Sequence, residues 1–441
     1  MQNDINHPQK RHDRPINPTL VGRQPSATLA INHICQRMKT LGQEIYNFGL
    51  GQSPFPIPSI IVKELQKHAY QKDYLPVKGL LPLREAVARF HQRHDGLAIS
   101  ADNIIIGPGS KELLFLLQLS FEGDLLLANP SWVSYAPQAQ IIGRTIHWLP
   151  TDAPELQLTA SALEAFCEQN PKKSRLLILN YPCNPTGSAF SEQQLQQIAN
   201  VARKYHIIIL SDEIYSRLNY DGSHVSIARF YPENTIISGG ISKWLGAGGW
   251  RLGTLAFPPN LQWLLDAVSA AASETYSSTS APIQHASIKA FSEDPEITVY
   301  VSRCCRLLKA LCHEVQKRLH AHHITLPSPK GAFYLFPNFD HWRFALRSIG
   351  IKTSIDLCRV LLEETKVAIL PGSDFGRPQS ELSTRWSLVD FDGGTALQEV
   401  SLLNDNDDIP LEVLTRCCGT VLQGVDKVCE WLSSLELTHQ P

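Results

Sequence analysis

The chain has 441 residues, of which 43% are hydrophobic, and its formal net charge is −2 at pH 7. This length exceeds what one hydrophobic core usually organises, so we expect more than one domain. The near-neutral charge argues against nucleic acid and anionic membrane surfaces as partners, and no apolar run approaches the length of a membrane span. Small dissolved molecules are therefore the expected ligands.

The first residues form a polar, proline-bearing segment without the apolar core of a signal peptide. We expect roughly the first 20 residues to be a loose arm, because such a composition buries too little apolar surface to offset the entropy of ordering. The ten cysteines include two adjacent pairs, Cys304-Cys305 and Cys417-Cys418, but no CxxC spacing typical of zinc or redox sites. Reduced thiols in a cytoplasmic enzyme fit this pattern best.

Two helices are predicted near the N-terminus, on either side of the loop NFGLGQSPFPIP. The first has Ser26 as its N-cap and extends to about Glu44. Its apolar face is predicted to consist of Leu29, Ile31, Ile34 and Met38. The second helix begins at Ser59 and ends near Tyr70. The loop glycines could bring backbone close to a ligand, although an ordinary turn is favoured when the loop is taken alone.

From about residue 100, an apolar run, a turn and an amphipathic helix follow one another repeatedly. The apolar runs are 104–106, 125–128, 176–179, 207–210, 235–237 and 252–257. Such strands, alternating with helices, predict an α/β fold with a mostly parallel sheet that is covered by helices on both faces. Ligands of these sheets bind beyond the carboxyl ends of the strands, so the residues after each run are candidates for a site.

The first two runs are followed by GPGSKELLF and NPSWVSY. In GPGSKELLF, a glycine turn opens an apolar helix, and the exposed amides of Gly109, Ser110 and Lys111 would make a phosphate site. The segment lacks the third glycine of a dinucleotide fingerprint and the GK[ST] ending of a P-loop, which disfavours both nucleotide sites. In NPSWVSY, Trp132 could stack on a flat cofactor or pack in the core.

The next two runs are followed by NYPCNPTG and SDEIYSRL. The prolines and glycine of NYPCNPTG hold the side-chain amide of Asn184 beyond a strand end. Asp212 is costly to bury there unless it meets a cation. Tyr215, three residues later, is expected on the same face as Asp212 if the segment is helical.

Residues 234–257, NTIISGGISKWLGAGGWRLGTLAF, place Lys243 in a glycine cluster between two apolar runs. Burial would favour the neutral amine, which forms imines with carbonyls such as the aldehyde of pyridoxal phosphate. Arg251, eight positions later, offers a forked donor suited to a phosphate. The alternative is a solvated loop lysine.

Beyond about residue 305, the pattern changes to helix plus strand, as in a smaller α+β domain. We therefore divide the chain into an arm with part of the small domain (1–52), a large ligand-binding domain (53–305) and a small C-terminal domain (306–441). The pair His313-Glu314 begins an HExxH-like pattern, but Lys317 stands in place of the second histidine, so we reject a zinc site.

Two features of the C-terminal part bear on function. Arg385 lies in a strand-like run, and a buried arginine there needs an anion, for which a carboxylate is the natural bidentate partner. The alternative is an edge-strand arginine in water. Residues 393–410 are predicted to form an exposed insertion before a final helix, which begins at Leu411 and ends near Leu435.

Together these motifs resemble those of the fold-type I, class I/II pyridoxal phosphate-dependent aminotransferases, from about Ser26 to the last helix. The matching motifs are SATLAIN, LGQSPFP, DYLPVKGLLPLREAVARF, GPGSKELLF, NPSWVSY, NYPCNPTG, SDEIYSRLNYDG, SKWLGAGGWRLG, PKGAFYLFP, VAILPGSDFG and TRWSL. The resemblance implies a large α/β domain with a mostly parallel sheet, a smaller α+β domain, and a homodimer with shared active sites.

The resemblance also implies a role for each candidate residue. Lys243 would hold pyridoxal 5'-phosphate as an internal aldimine and carry the proton at the substrate Cα. Asp212 would meet the pyridine nitrogen, Tyr215 and Asn184 the O3′ oxygen, and Trp132 the ring face. The implied phosphate ligands are Gly109, Ser110, Lys111, Ser242, Arg251 and, from the neighbouring subunit, Tyr74. The implied substrate pocket consists of Gly51, Trp132, Asn184 and Arg385, of which Arg385 grips the α-carboxylate.

The implied activity is transfer of an amino group from an L-amino acid to a 2-oxo acid. A pyridoxal phosphate-dependent lyase, for instance a β-eliminating enzyme, is an alternative that the cofactor site does not separate. A non-catalytic regulator on the same fold is another, but the arm before Ser26 is too short and irregular for a helix-turn-helix. Ala247 and Gly248 replace bulkier residues common in relatives, which leaves the substrate preference open.

Overall fold

The computed structural model describes residues 16–23, 25–151, 153–404 and 407–437. The first 15 residues of the predicted arm lie outside these ranges, and Pro18–Leu20 forms one 3-10 turn. None of the helices described there is long and apolar enough to cross a membrane.

The structure contains helices and strands in alternation over most of its length. The strands are β1 (Tyr46–Asn47), β2 (Ile104–Gly107), β3 (Asp124–Ala128), β4 (Ile146–Leu149), β5 (Arg175–Asn180), β6 (Ile208–Asp212), β7 (Thr235–Gly240), β8 (Gly253–Ala256), β9 (Tyr334–Leu335), β10 (Val367–Ala368), β11 (Leu370–Pro371) and β12 (Thr384–Ser387). The helices are α1 (Ala27–Thr40), α2 (Ser59–His68), α3 (Leu81–Asp95), α4 (Ser110–Ser120), α5 (Tyr135–Ile141), α6 (Ala160–Glu168), α7 (Glu192–Lys204), α8 (Gln262–Thr275), α9 (Ala281–Ala290), α10 (Pro295–Ala321), α11 (Arg343–Ser348), α12 (Ser354–Thr365), α13 (Gly393–Ser401) and α14 (Leu411–Leu437).

The central sheet has seven strands in the order β2-β8-β7-β6-β5-β3-β4. Neighbours from β7 to β4 run parallel, whereas β8 is antiparallel to both β2 and β7. The prediction of a mostly parallel α/β sheet is therefore confirmed. The sequence pattern missed β4, an edge strand whose residues are only partly buried and so form no continuous apolar run.

Helices cover both faces of this sheet, which explains why its inner strands are apolar throughout. In β5, Leu176 and Ile178 pack in one core with residues of α4, α5 and α8. The alternate residues Leu177 and Leu179 pack in another core with residues of α6 and α7. Because both faces are buried, the polar groups at the strand ends are the ones available to a ligand.

The C-terminal part is built on a small sheet, β11-β12-β9, and on the β1-β10 pair. The helix predicted there, α10, begins at Pro295 and continues through residues 305 and 306 to Ala321. The division of the chain at residue 305 therefore stays a prediction. The final helix, α14, begins at Leu411 as predicted.

The predicted apolar face of the first helix is wrong in part. Helix α1 does follow Ser26, but the Ser26 side chain forms no capping hydrogen bond. Ile31, Met38 and the buried Cys35 pack against the body of the protein, whereas Leu29 and Ile34 are exposed. Because α1 lies at the periphery, only the narrow stripe formed by Ile31, Cys35 and Met38 packs against Ile45 and Ala368.

The prediction of an exposed insertion at 393–410 is wrong for its first half. Residues 393–401 form α13, which Asp392 caps by accepting hydrogen bonds from Gly394 N (2.8 Å) and Thr395 N (3.0 Å). Ala396 and Val400 are fully buried in the main core. These two residues are one helical turn apart. Their apolar face is short and is followed by polar residues after position 403, so the sequence pattern did not predict a buried helix here.

Candidate active site

A cavity of about 500 Å³ lies beyond the carboxyl ends of β3, β5 and β6. It brings together nearly all the residues that the sequence predicted for a site. Those that line it are Gly51, Ser110, Lys111, Trp132, Asn184, Asp212, Tyr215, Ser242, Lys243, Arg251 and Arg385. This volume is typical of a pocket for a small organic ligand.

Two predicted residues do not line the cavity. Gly109 lies beside it as the N-cap of α4, with a φ of 92° that favours glycine. A Cβ atom at position 109 would also displace the Arg251 guanidinium from its present position. Tyr74 is 91% exposed and lies outside the cavity of its own chain.

Lys243 follows β7 and points its amine into the cavity. Its Nζ donates a hydrogen bond to Gly51 O (2.6 Å) and lies 5.6 Å from the ring centroid of Tyr215. Burial, aided by the positive charge of Arg385, lowers the pKa of Lys243 to about 8. Roughly a tenth of the amine is therefore neutral and nucleophilic at pH 7, far more than for an ordinary lysine.

Asp212 is the last residue of β6, and Asn180 at the end of β5 is its partner in register. Asn180 Nδ2 donates to Asp212 O (2.8 Å), which fixes the backbone at this point. One carboxylate oxygen, Oδ2, accepts a hydrogen bond from Tyr135 OH (2.6 Å). The other, Oδ1, is buried without a partner. Burial raises the pKa of Asp212 to about 6, although the Tyr135 hydrogen bond opposes this shift.

Tyr215 reaches the same cavity by a different route from the predicted one. The chain after Asp212 forms a turn and then the single 3-10 turn Ser216–Leu218, so helical spacing does not align the two side chains. The phenol of Tyr215 is instead held by a hydrogen bond with Tyr334 OH (2.6 Å). A Cβ atom at Gly51 would meet that Tyr334 hydroxyl, which accounts for the glycine there.

One end of the cavity is suited to an anion. Helix α4 begins at Ser110, and its first backbone amides have no partners within the helix. Arg251 closes this end, with Nη1 donating to Gly248 O (2.9 Å) and Nη2 to Pro108 O (3.2 Å). Lys111 Nζ lies 5.0 Å from the Trp132 ring centroid. A helix N-terminus with two nearby cations is an arrangement that binds phosphate groups.

Another part of the cavity lining is suited to a carboxylate. Arg385, on β12, is 1% exposed, and its guanidinium lies 5.0 Å from the ring centroid of Tyr334 and 5.4 Å from that of Phe375. Nη2 donates to Gly49 O, whereas Nε has no partner. No carboxylate within the described ranges forms an ion pair with Arg385, so the prediction of a buried arginine awaiting an anion agrees with the geometry.

Sequence reasoning missed two residues of the site, Tyr135 and Tyr334. Both lie in motifs that the sequence singled out, NPSWVSY and PKGAFYLFP. Their partners, Asp212 and Tyr215, are 77 and 119 residues away along the chain. Only the folded arrangement reveals these contacts.

The residues of the cavity fit pyridoxal phosphate. The unpartnered Asp212 Oδ1 suits a protonated ring nitrogen, and the Asn184 side-chain oxygen, likewise buried without a partner, borders the same space. The start of α4 suits the phosphate, and the amine of Lys243 lies between these points. Trp132, edge-on to Tyr135 with ring centroids 5.1 Å apart, forms a flat wall.

Comparison with known proteins supports this fit. Residues 40–388 match the family model of aminotransferase class I and II. The chain is 32% identical over 366 residues to an aspartate aminotransferase of Geobacillus stearothermophilus, covering 81% of this chain and 90% of the relative. It is 33% identical over 346 residues to aromatic-amino-acid aminotransferase 2 of Thermococcus litoralis, covering 76% and 84%.

The fold also agrees with a solved structure. An aspartate aminotransferase from Thermus thermophilus with maleate superposes with a TM-score of 0.80 at 22% identity, covering 95% of this chain and 99% of that one. At this identity the likeness concerns the fold alone. From the family model and the relatives together, the chain belongs to the class I and II aminotransferases and is a pyridoxal phosphate-dependent transaminase.

Proposed function

We propose that this cavity transfers an amino group from an L-amino acid to a 2-oxo acid, with Lys243 as the catalytic amine. The observation that carries the proposal is the meeting of three groups in one cavity. These are the Lys243 amine with its lowered pKa, the unpartnered oxygen of Asp212 and the unpartnered N–H of Arg385. They come from distant parts of the chain.

When bound, pyridoxal phosphate supplies a carbonyl carbon that takes up and returns the amino group, and a ring that withdraws electrons. Lys243 holds the cofactor through Nζ and moves the proton to and from the substrate Cα. A lysine whose pKa is about 8 can accept and return a proton near neutral pH, which an ordinary surface lysine does poorly.

Asp212 acts on the ring nitrogen through its free oxygen, Oδ1. Opposite unit charges 4 Å apart attract by about 4 kcal/mol at an effective dielectric of 20, which is enough to keep that nitrogen protonated. Tyr135 holds the other oxygen and so sets the orientation of the carboxylate. Tyr215 and Asn184 would contact the O3′ oxygen, and Trp132 would cover the ring face.

Two anion sites position the reactants. The phosphate would lie at the start of α4, where its ligands would be Gly109, Ser110, Lys111, Ser242 and Arg251. The substrate α-carboxylate would lie on the fork of Arg385, next to Gly51. Because Lys243 feels the charges of Arg385, Lys111 and Arg251, the two anion sites would hold the reacting carbon near its amine.

The relatives act, by name, on aspartate or aromatic amino acids, so these are the donors to test first. Cofactor-loaded enzyme should show a stoichiometric change in visible absorbance with an active donor, and a 2-oxo acid should reverse it. Release of ammonia and an oxo acid without any 2-oxo acid acceptor would instead identify a lyase.

We also propose that the enzyme is a homodimer in which Tyr74 of one protomer reaches the phosphate site of its partner. Tyr74 does not line the cavity of its own chain, and the residue is 91% exposed. In an isologous dimer the contribution is reciprocal. The mixed dimer of a Lys243 variant with an inactive position-74 variant then has one intact site.

Random remixing of these two inactive parents makes about half the dimers mixed, so roughly a quarter of wild-type activity should return. Activity that stays at the parental background after verified subunit exchange would show that Tyr74 serves its own chain.

We place the reaction in the cytoplasm. The support is that all ten cysteines are free thiols in the structure, including both adjacent pairs. Such thiols persist in a reducing compartment. Fractionation of cells that express the full chain, followed by detection of the protein in each fraction, tests this assignment.

A further inference from the structure

A second large cavity, of about 400 Å³, lies outside the active site. It is a groove between the C-terminal end of α3, the segment 216–224 and the middle of α10. The groove contains Arg217, which belongs to the 3-10 turn that directly follows Tyr215. We call this cavity the Arg217 groove.

Arg217 has no acidic partner within the part of the chain that the structure describes. Its guanidinium carbon lies 5.8 Å from the ring centroid of Phe90 and 5.9 Å from that of Trp244. Its Nη1 approaches the imidazole nitrogens of His94 at 2.9 and 3.2 Å. The buried Nε has no hydrogen-bond partner. The aromatic rings stabilise the cation, but they leave this N–H unsatisfied.

His94 does not supply the missing negative charge. Partial burial and the nearby charges of Arg217 and Arg93 lower the pKa of His94 to about 4. The imidazole is therefore neutral at pH 7, and it faces the guanidinium without neutralising it.

Each acidic side chain around the groove already has a basic partner. These pairs are Asp95 with His91 (2.7 Å), Glu213 with His224 (2.9 Å), Asp221 with Lys309 (2.6 Å) and Glu293 with Arg93 (2.8 Å). Arg306, on the far wall, donates to the backbone oxygens of Asn404 and Asp407 at 2.8 Å each. No carboxylate among the residues that the structure describes thus pairs with Arg217 in this groove.

We propose that the Arg217 groove binds a small carboxylate, of the size of an amino acid or 2-oxo acid. A guanidinium fork matches a carboxylate in geometry and charge, and in the half-buried Arg217 the buried Nε–H has no acceptor. The volume exceeds what an inorganic ion needs and is within the range of pockets for small organic molecules. The hydroxyls of Ser216 and Ser302 line the same groove and can donate to the carboxylate oxygens.

Calorimetric titration of the cofactor-loaded enzyme with malonate, which cannot react, tests this proposal. Wild type should bind malonate at two sites per chain, one on Arg385 and one on Arg217. Arg217→Gln should weaken binding at one of them by about tenfold or more. Arg359→Gln removes an exposed arginine that pairs with Glu363 on α12, and this matched control should keep both sites.

Arg385→Gln separates the two anion sites, because it should remove the active-site malonate and leave the Arg217 groove occupied. Arg217→Lys keeps the positive charge but loses the fork, so it should fold normally and bind malonate more weakly than wild type. If Arg217→Gln and Arg217→Lys both fold and both retain two sites of wild-type affinity, the groove is no carboxylate site. If Arg385→Gln still binds malonate at both sites, the proposed role of Arg385 is wrong, and the proposal for the groove is unaffected.

Discussion

Two consecutive carboxylates at the end of β6, Asp212 and Glu213, lie in opposite environments. Glu213 is 5% exposed and satisfied on both oxygens: Oε1 accepts from Ser211 Oγ (2.7 Å) and Ser226 Oγ (2.6 Å), and Oε2 pairs with His224 Nε2 (2.9 Å). Asp212 is 3% exposed, and one of its oxygens has no partner.

The pKa shifts of the two carboxyls follow from this difference. Burial raises the pKa of Asp212 to about 6. Burial acts on Glu213 in the same direction, but the charge of His224 and three hydrogen bonds outweigh it and lower the pKa of Glu213. Equal burial thus has opposite outcomes, and the carboxylate that the protein leaves unsatisfied is the one that faces the cofactor cavity.

Replacing Asp212 should have the largest effect on catalysis. Asp212→Ala removes the partner of the ring nitrogen, and we expect single-turnover rates to fall on the order of 10³-fold. The phosphate ligands do not depend on Asp212, so cofactor retention should change much less. Rates near those of wild type would show that the unpartnered oxygen has no catalytic role.

Replacing Glu213 should reverse this pattern. Glu213→Gln leaves His224 without its counter-charge in a buried pair, which should cost about 3 kcal/mol of unfolding free energy. The fraction that folds should keep kcat within a few-fold of wild type, since Glu213 does not line the cavity. Chemical denaturation and active-site-normalised kinetics measure the two effects. A large loss of kcat with unchanged stability would mean that the two carboxylates do not divide structure and function in this way.

A smaller effect is expected at the carboxylate end of the cavity. Arg385→Lys retains a positive charge but not the fork, so KM should rise about ten- to a hundredfold for every amino donor. Steady-state kinetics with an acidic and an aromatic donor make the comparison. A rise confined to one donor would move Arg385 to the side-chain pocket.

The smallest effects are in the pH dependence of stability of the cofactor-free protein. The folded pKa of Asp212, about 6, lies above its ordinary value of 3.8. As pH rises, the unfolded chain therefore loses this proton before the folded protein does. The contribution of Asp212 to stability falls between these two pH values. The lowered pKa of Glu213 acts oppositely: its contribution is present above its ordinary pKa of 4.5 and is lost as pH falls through the folded value.

Thermal unfolding across this pH range should show these two slopes. Asp212→Asn should abolish the decline between about pH 4 and 6, and Glu213→Gln should abolish the loss at lower pH. If the curve of Asp212→Asn runs parallel to that of wild type, the slope assigned to Asp212 is wrong. A parallel curve for Glu213→Gln would refute the slope assigned to Glu213.

Much of the fold could be predicted from the sequence, because continuous apolar runs such as 176–179 identify buried parallel strands. The same rule directed attention to Asp212, Asn184 and Lys243, which follow strands of one sheet. Contacts between distant segments, such as Tyr135 with Asp212, have no local signal and appeared only in the structure. The packing of α13 was missed because a two-residue apolar face, Ala396 and Val400, is too short to stand out.

The central claim is that Lys243 holds a cofactor in this cavity, with the unpartnered oxygen of Asp212 facing the ring nitrogen of that cofactor. Borohydride reduction of the cofactor-loaded enzyme, followed by peptide mapping, tests it most directly. We expect one labelled peptide, the one that contains Lys243, and no label in Lys243→Ala, which should fold normally and lose turnover. Label on Lys111 or on any other lysine would contradict the account.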